Sequence, residues 1–339
     1  KAGLPKEAAA LVLGKGENIG PTVFSTKGLQ NVVFTGSLNT AKIIQQQLHQ
    51  REDLINLIAE TGGLNCLIAD SSALTEHVVD DVINSAFNSA GQRCSACRIL
   101  FIEENVYNKT MLMLKGALET LSISSPELIS TDVGPVIDVQ SLEKIERYLS
   151  QFNKKFQLAI DVNQGNFIPP AIIEIENISD VRDEIFGPVL HVLTFKSKNL
   201  NELCNQINSL NYGLTLGIHS RIDRVISTVI NNINVGNIYI NRNIVGAVVG
   251  SQPFGGHNKS GTGPKAGGPE YLKKFCFFLL YYILLIAGEE LADRNHVSPE
   301  IGMWAPNVVL LIISLYLIIF VIRERAPMSL FKFLSSSSN

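Results

Sequence analysis

Apolar residues come in short blocks separated by polar, helix-like stretches. Residues 31–37, NVVFTGS, run apolar into Thr-Gly-Ser, the pattern of a buried strand entering a tight turn. Residues 40–52 follow as a helix and 55–63, INLIAETGG, as a second strand. In 71–87 the apolar positions 74, 78, 79, 82, 83 and 86 have helical spacing, with serines at the start as caps. Residues 98–104 read as a strand, 106–122 and 141–151 as helices, and 171–176, 188–195 and 236–241 as strands. Strands alternating with helices predict a mostly parallel sheet covered by helices, an α/β protein.

The pattern changes near Lys274. Residues 303–322, MWAPNVVLLIISLYLIIFVI, carry no charge over twenty positions and end in Arg323-Glu324-Arg325. That length matches a bilayer core, and the basic end predicts a cytoplasmic side. Residues 275–288 are apolar over fourteen positions, which reads as a short span or a buried segment. The tail SSSSN reads as disordered. These shifts divide the chain into 1–274, a membrane-helix tail over 275–325, and a tail over 326–339.

A net charge of −3 with 17% charged residues points away from nucleic acid. The five cysteines, 66, 94, 97, 204 and 276, are odd in number and scattered, which suits a reducing, cytoplasmic setting for residues 1–274. Cys94 and Cys97 lie three apart in GQRCSACR. No second CxxC or paired histidine completes a zinc site, and Cys97 leads into a strand rather than a helix, unlike a redox pair. No metal is therefore expected. Cys94 reads either as a nucleophile, aided by local amides and by Arg93 and Arg98, or as a small buried side chain.

Glu60 ends an apolar strand and is followed by Thr61, Gly62 and Gly63. A carboxylate there is either a salt-bridged loop residue or a general base. Gly14, Gly16 and Gly20 in GKGENIG, and Gly36-Ser37 in FTGS, read as glycine turns, either structural or shaped for a phosphate. EIFGP at 184–188 reads as a turn with a core phenylalanine, and the glycine-rich 252–272 as a loop shaped around a ligand.

Taken in order, FTGS, ETGG, GQRC and EIFGPV resemble the aldehyde dehydrogenase superfamily. The longer wording, ETGGLN, SAFNSAGQRCSA, STDVGPVID and QPFGGHNKSGTGPKAGGPEYL, resembles its L-glutamate γ-semialdehyde (pyrroline-5-carboxylate) dehydrogenase branch, over residues 1–274. The resemblance implies a partial Rossmann-like cofactor domain over 1–62 and an α/β catalytic domain over 63–274. It implies NAD as cofactor and L-glutamate γ-semialdehyde as substrate, a step of proline catabolism. Cys94 would attack the aldehyde, and Glu60 would activate the water that hydrolyses the thioester. Gly36 and Ser37 would face the cofactor pyrophosphate, Glu184 would hold the nicotinamide ribose, and Phe186 would pack near that ring. Ser95, Gly267 and Gly268 would hold the substrate α-carboxylate. The strand at 236–241 resembles a segment used in domain and subunit contacts, which implies a homo-oligomer.

The family pattern also includes an upstream half that this sequence lacks, with the first cofactor-domain strands and an oxyanion-hole asparagine. The tail, from GEELADRNHVSPEIGMWAPNVV onward, resembles the last membrane segments of the lipopolysaccharide export permease family. A fusion of two gene remnants would account for both features. The expectations are thus a cytoplasmic catalytic part, anchored in the membrane through 303–322. The alternatives are a catalytically inactive remnant and a transport-subunit fragment whose working part is the tail.

Overall fold

The computed structural model describes residues 9–158, 165–247 and 251–271, and scattered positions between 284 and 312. It opens with α1 (Gly16–Ser25), β1 (Asn31–Thr35), α2 (Leu38–His49) and β2 (Asn56–Glu60). The glycine turn expected around Gly16 and Gly20 is instead the first half of α1. β1 and β2 form a parallel pair of their own, in register from Asn31 opposite Asn56 to Thr35 opposite Glu60.

The main sheet begins with β3 (Asn65–Ala69) and, after α3 (Thr75–Phe87), continues with β4 (Cys97–Glu103). Then come α4 (Tyr107–Glu119), α5 (Val139–Leu149), β5 (Lys155–Gln157), β6 (Ala171–Glu174) and β7 (Val189–Phe195). The remaining elements are α6 (Leu200–Ser209), β8 (Tyr212–Gly213), β9 (Thr215–His219), α7 (Asp223–Asn232), β10 (Asn237–Ile240) and β11 (His257–Asn258). Seven strands lie in the order β10-β9-β3-β4-β7-β6-β5. Every pair is parallel except β5 with β6. β8 and β11 make a separate short antiparallel ladder.

Helices cover both faces, so the central strands are apolar on both sides. Leu67, Leu100 and Ile102 pack with Val78 and Val82 of α3 and with Leu114 of α4. Their alternates Cys66, Ile68, Ile99 and Phe101 pack with Leu203 and Ile207 of α6 and with Val229 of α7. This two-sided burial is the usual state of parallel strands. It also hides β3 from a periodicity reading, because NCLIA does not alternate.

The start of α3 differs from expectation. The helix begins at Thr75, and Leu74 at its N-cap makes no side-chain cap. Ser72 instead donates to Asp70 Oδ1 at 2.6 Å, and the Ser71 amide donates to Glu103 Oε2 at 2.8 Å. The serines serve the loop after β3 rather than the helix.

Residues 1–268 form one compact unit and 269–339 another. In the second, the described positions between 284 and 312 are mostly helical, and Arg294 pairs with Glu290 one turn away. Among the described residues no helix is long and apolar enough to cross a membrane. The apolar runs 275–288 and 303–322 lie for the most part outside the described residues, as does all of 326–339.

Candidate active site

Parallel strands bring their amino ends to one edge of a sheet. Glu60 lies five residues before β3, Cys94 three before β4 and Glu184 five before β7, and these three strands are neighbours. The topology therefore collects three residues that are far apart in sequence.

Cys94 is reached through a left-handed turn. Ser89, Ala90 and Gly91 all have positive φ, at 56°, 53° and 65°. Such a conformation is costly for L-residues, and strain of this kind concentrates at functional sites. The Gln92 side chain ties the turn to the GPVID segment. Its Nε2 donates to the Pro135 carbonyl at 3.2 Å, and its Oε1 accepts from the Ile137 amide at 2.9 Å. Asn65 fixes the other side by donating to the carbonyls of Cys94 at 2.7 Å and Ala96 at 2.9 Å. Cys94 keeps partial exposure, whereas Cys97 starts β4 fully buried in the core.

Burial pushes the Cys94 thiol up, as do the nearby Glu184 and Glu60 carboxylates, while the Ser95 and Cys94 amides pull it down. The expected help from flanking cations is spent elsewhere. Arg93 donates to Ser89 Oγ at 3.0 Å, and Arg98 faces Glu184. Cys97 is pushed up to about 12 by burial.

Glu60 has the state of a base near neutrality. Burial raises its carboxyl to about 7, against the Gly256 amide and the charge of Lys265. Its Oε2 accepts from the Gly256 amide at 3.2 Å, and its buried Oε1 has no hydrogen-bond partner among the described residues. The closeness of the glycine loop is necessary here: a Cβ on Gly255 would stand 2.7 Å from Glu60 Oε1.

Glu184 is raised by burial and opposed by Arg98, the Gly63 amide and Lys144. Arg98 Nη2 pairs with Glu184 Oε1 at 3.3 Å, and its guanidinium lies 5.4 Å from the centre of the Phe186 ring. A Cβ on Gly62 would overlap the Glu184 carboxylate, which accounts for one glycine of ETGG. Glu184, Gly62 and Ser37 line one cavity of about 1020 Å³, together with Leu38, Asn39 and Lys144. Phe186 is 44% exposed and is not a core residue.

The other expected residues fall into place unevenly. The Gly36 amide donates to the Glu60 carbonyl at 3.2 Å, so it is already engaged. Gly36 also sits beside the tip of the Phe34 ring, which a Cβ would push aside. Ser37 caps α2 by accepting from the Thr40 amide at 3.1 Å. Ser95 is buried next to Cys94. Gly267, with φ of 73°, and Gly268 follow the Phe254–Ala266 bridge that closes the glycine loop. Sequence reasoning missed Asn65, Gly256 and Lys265, which act through backbone groups or across long sequence separations. For Arg98 it saw only a nearby charge.

An α/β fold that gathers a cysteine and two half-buried carboxylates at one sheet edge has the make-up of an enzyme site. The sequence profile of the aldehyde dehydrogenase family matches residues 1–278, and the chain belongs to that family. The chain is 46% identical over 287 residues to the bifunctional protein PutA of Klebsiella aerogenes, covering 80% of this chain and 22% of that one. A crystal structure of bifunctional proline utilization A superposes with a TM-score of 0.78 at 46% identity, over 81% of this chain and 28% of the other. The 1-pyrroline-5-carboxylate dehydrogenase from Thermus with bound NAD gives 0.74 at 30% identity, over 80% of this chain and 54% of that one. The chain thus spans only part of the length of these relatives. A second profile, lipopolysaccharide export system permease LptF/LptG, matches residues 261–319.

Proposed function

We propose that the chain carries the catalytic part of an NAD-dependent dehydrogenase that oxidises L-glutamate γ-semialdehyde to L-glutamate. The observation that carries this reading is the meeting of Glu60, Cys94 and Glu184 at the amino ends of β3, β4 and β7. The name of the Thermus relative, a 1-pyrroline-5-carboxylate dehydrogenase, supports the substrate, since that ring opens with water to the semialdehyde.

The cavity suits the cofactor. Its volume is at the upper end of the range for ligand clefts, about 300–1,000 Å³. Leu38 and Asn39 bring the first amides of α2, which a helix leaves without internal partners and which favour a phosphate. Lys144, Arg147 and Arg182 bring positive charge beside the carboxylates of Asp180 and Asp183, and Glu184 offers a carboxylate to ribose hydroxyls. Bound NAD would supply the hydride acceptor.

The chain's own residues do the rest. Glu60 takes the Cys94 proton, the thiolate attacks the aldehyde carbon, and the new alkoxide takes that proton back to give a thiohemiacetal and an ionised Glu60. Loss of hydride from that carbon to the cofactor, with the hydroxyl proton released to solvent, would leave a thioester on Cys94. Glu60 then takes a proton from water, which attacks the thioester and releases glutamate and the thiol. Ser95, Gly267 and Gly268 are the proposed holders of the substrate α-carboxylate.

NADH absorbance after addition of the semialdehyde tests this reading. Cys94→Ala should abolish turnover, and the acid limb of the rate profile should lie near 7, where Glu60 titrates. Turnover retained in Cys94→Ala would refute the reading.

One observation favours an inactive remnant: β1 and β2 stand as a two-stranded sheet, with Val33 and Ile43 exposed. Absence of NAD binding by calorimetry would select that alternative. Membrane anchoring of the tail rests on the apolar run 303–322 and on the permease profile match. Membrane fractionation of the full chain tests it.

A further inference from the structure

We propose that Arg98 is a positioning residue that aims the Glu184 carboxylate and braces it against the turn carrying Cys94. This rests on the reading of Glu184 as the cofactor-facing carboxylate.

The strand pairing makes the geometry. Asn65 pairs with Cys97 and Cys66 with Ile99, so Arg98 is the extra residue of a β-bulge in β4. Bulges re-aim side chains and are frequent beside active sites. The guanidinium is 1% exposed and reaches three acceptors. Nη1 donates to the Gly187 carbonyl at 3.0 Å, and Nη2 donates to the Arg93 carbonyl at 3.2 Å and to Glu184 Oε1 at 3.3 Å. One planar group therefore joins the residue before Cys94 to the turn that bears Glu184 and Phe186.

The bulge is held from behind. The Arg98 carbonyl accepts from His191 Nδ1 at 2.9 Å. With that proton on Nδ1, the neutral ring accepts at Nε2 from the Tyr148 hydroxyl at 2.8 Å. Tyr148 lines the same cavity as Glu184. The charged or titratable groups facing Glu184 are Arg98 from β4, Lys144 from α5, Cys94 and Tyr212. Arg98 is the one in hydrogen-bond contact.

The test follows the carboxyl 13C shift of Glu184 against pH, in labelled full-length protein without cofactor. The signal is identified by its loss in Glu184→Gln. Losing the cation from an otherwise intact buried site should raise the Glu184 midpoint by about 1–3 pH units in Arg98→Met, the size of a close carboxylate–guanidinium effect. Arg98→Lys keeps the charge without the planar fork and should give a smaller rise. A merely structural role would loosen the site, admit water and lower the midpoint. A midpoint that is unchanged or lowered in either variant overturns the proposal, and Arg98→Lys alone decides if Arg98→Met does not fold. Calorimetric NAD binding by the unaltered chain tests the cofactor reading separately, so the two can fail independently.

Discussion

Gly91→Ala should be among the most damaging single-methyl additions in this protein. Gly91 has φ of 65°, a left-handed conformation that costs a residue with a Cβ about 1–2 kcal/mol. The new Cβ would overlap the Gly187 carbonyl oxygen, stand 2.6 Å from its carbon and lie 2.9 Å from the Ala86 carbonyl oxygen. All three are backbone atoms and cannot rotate away. The Gly187 carbonyl is also held by Arg98, so moving it disturbs a buried ion pair. Overpacking of this kind costs about 1–3 kcal/mol, for a total of about 2–5 kcal/mol. In a domain of this size class that lowers Tm by about 4–20 °C. Urea and thermal unfolding measure it. Gly116→Ala is the control: Gly116 is an exposed position of α4 with nothing within 4 Å of its Cβ position, and the change should stabilise by about 0.4–1 kcal/mol. If Gly91→Ala costs less than Gly116→Ala gains, the close approach of the Cys94 turn to Gly187 is wrong.

Two further outcomes follow from burial and charge. Iodoacetamide at pH 8 should modify Cys94 before Cys66 and Cys97, because Cys94 is partly exposed whereas both others are fully buried with raised thiols; peptide mass spectrometry reads the order, and earlier labelling of Cys97 would contradict the packing. Burial lowers His191 and His219 to about 4, from an ordinary 6.5. Between those values the unfolded chain binds more protons, so this contribution to stability is present above about pH 6.5 and lost as pH falls toward 4. Glu60, raised to about 7, contributes in the opposite sense as pH falls, so the comparison is between chains: the urea midpoint of His191→Gln should fall less from pH 7 to 4 than that of the unaltered chain.

The elements that were legible in the sequence are those with a strong local signal. Strands β1, β2, β4, β6, β7 and β10 and helices α2, α4 and α5 lie where the apolar blocks placed them, with shifts of up to three residues at their ends. β3 and β9 escaped because strands buried on both faces are short apolar runs without alternation. α1 escaped because its glycines and Pro21 suggest a turn.

By itself the sequence determined the α/β class and the family, and it singled out Cys94, Glu60 and Glu184 as candidates, since each lies in a short contiguous motif. Only the tertiary structure decided what those groups are like. It placed three separated motifs at one sheet edge and set Gly256, 196 residues away in sequence, against Glu60. It also turned Arg98 from a helper of the thiol into the partner of Glu184. The physical reason is that ionisation and reach depend on burial and on neighbours across the sheet, and a linear pattern carries neither.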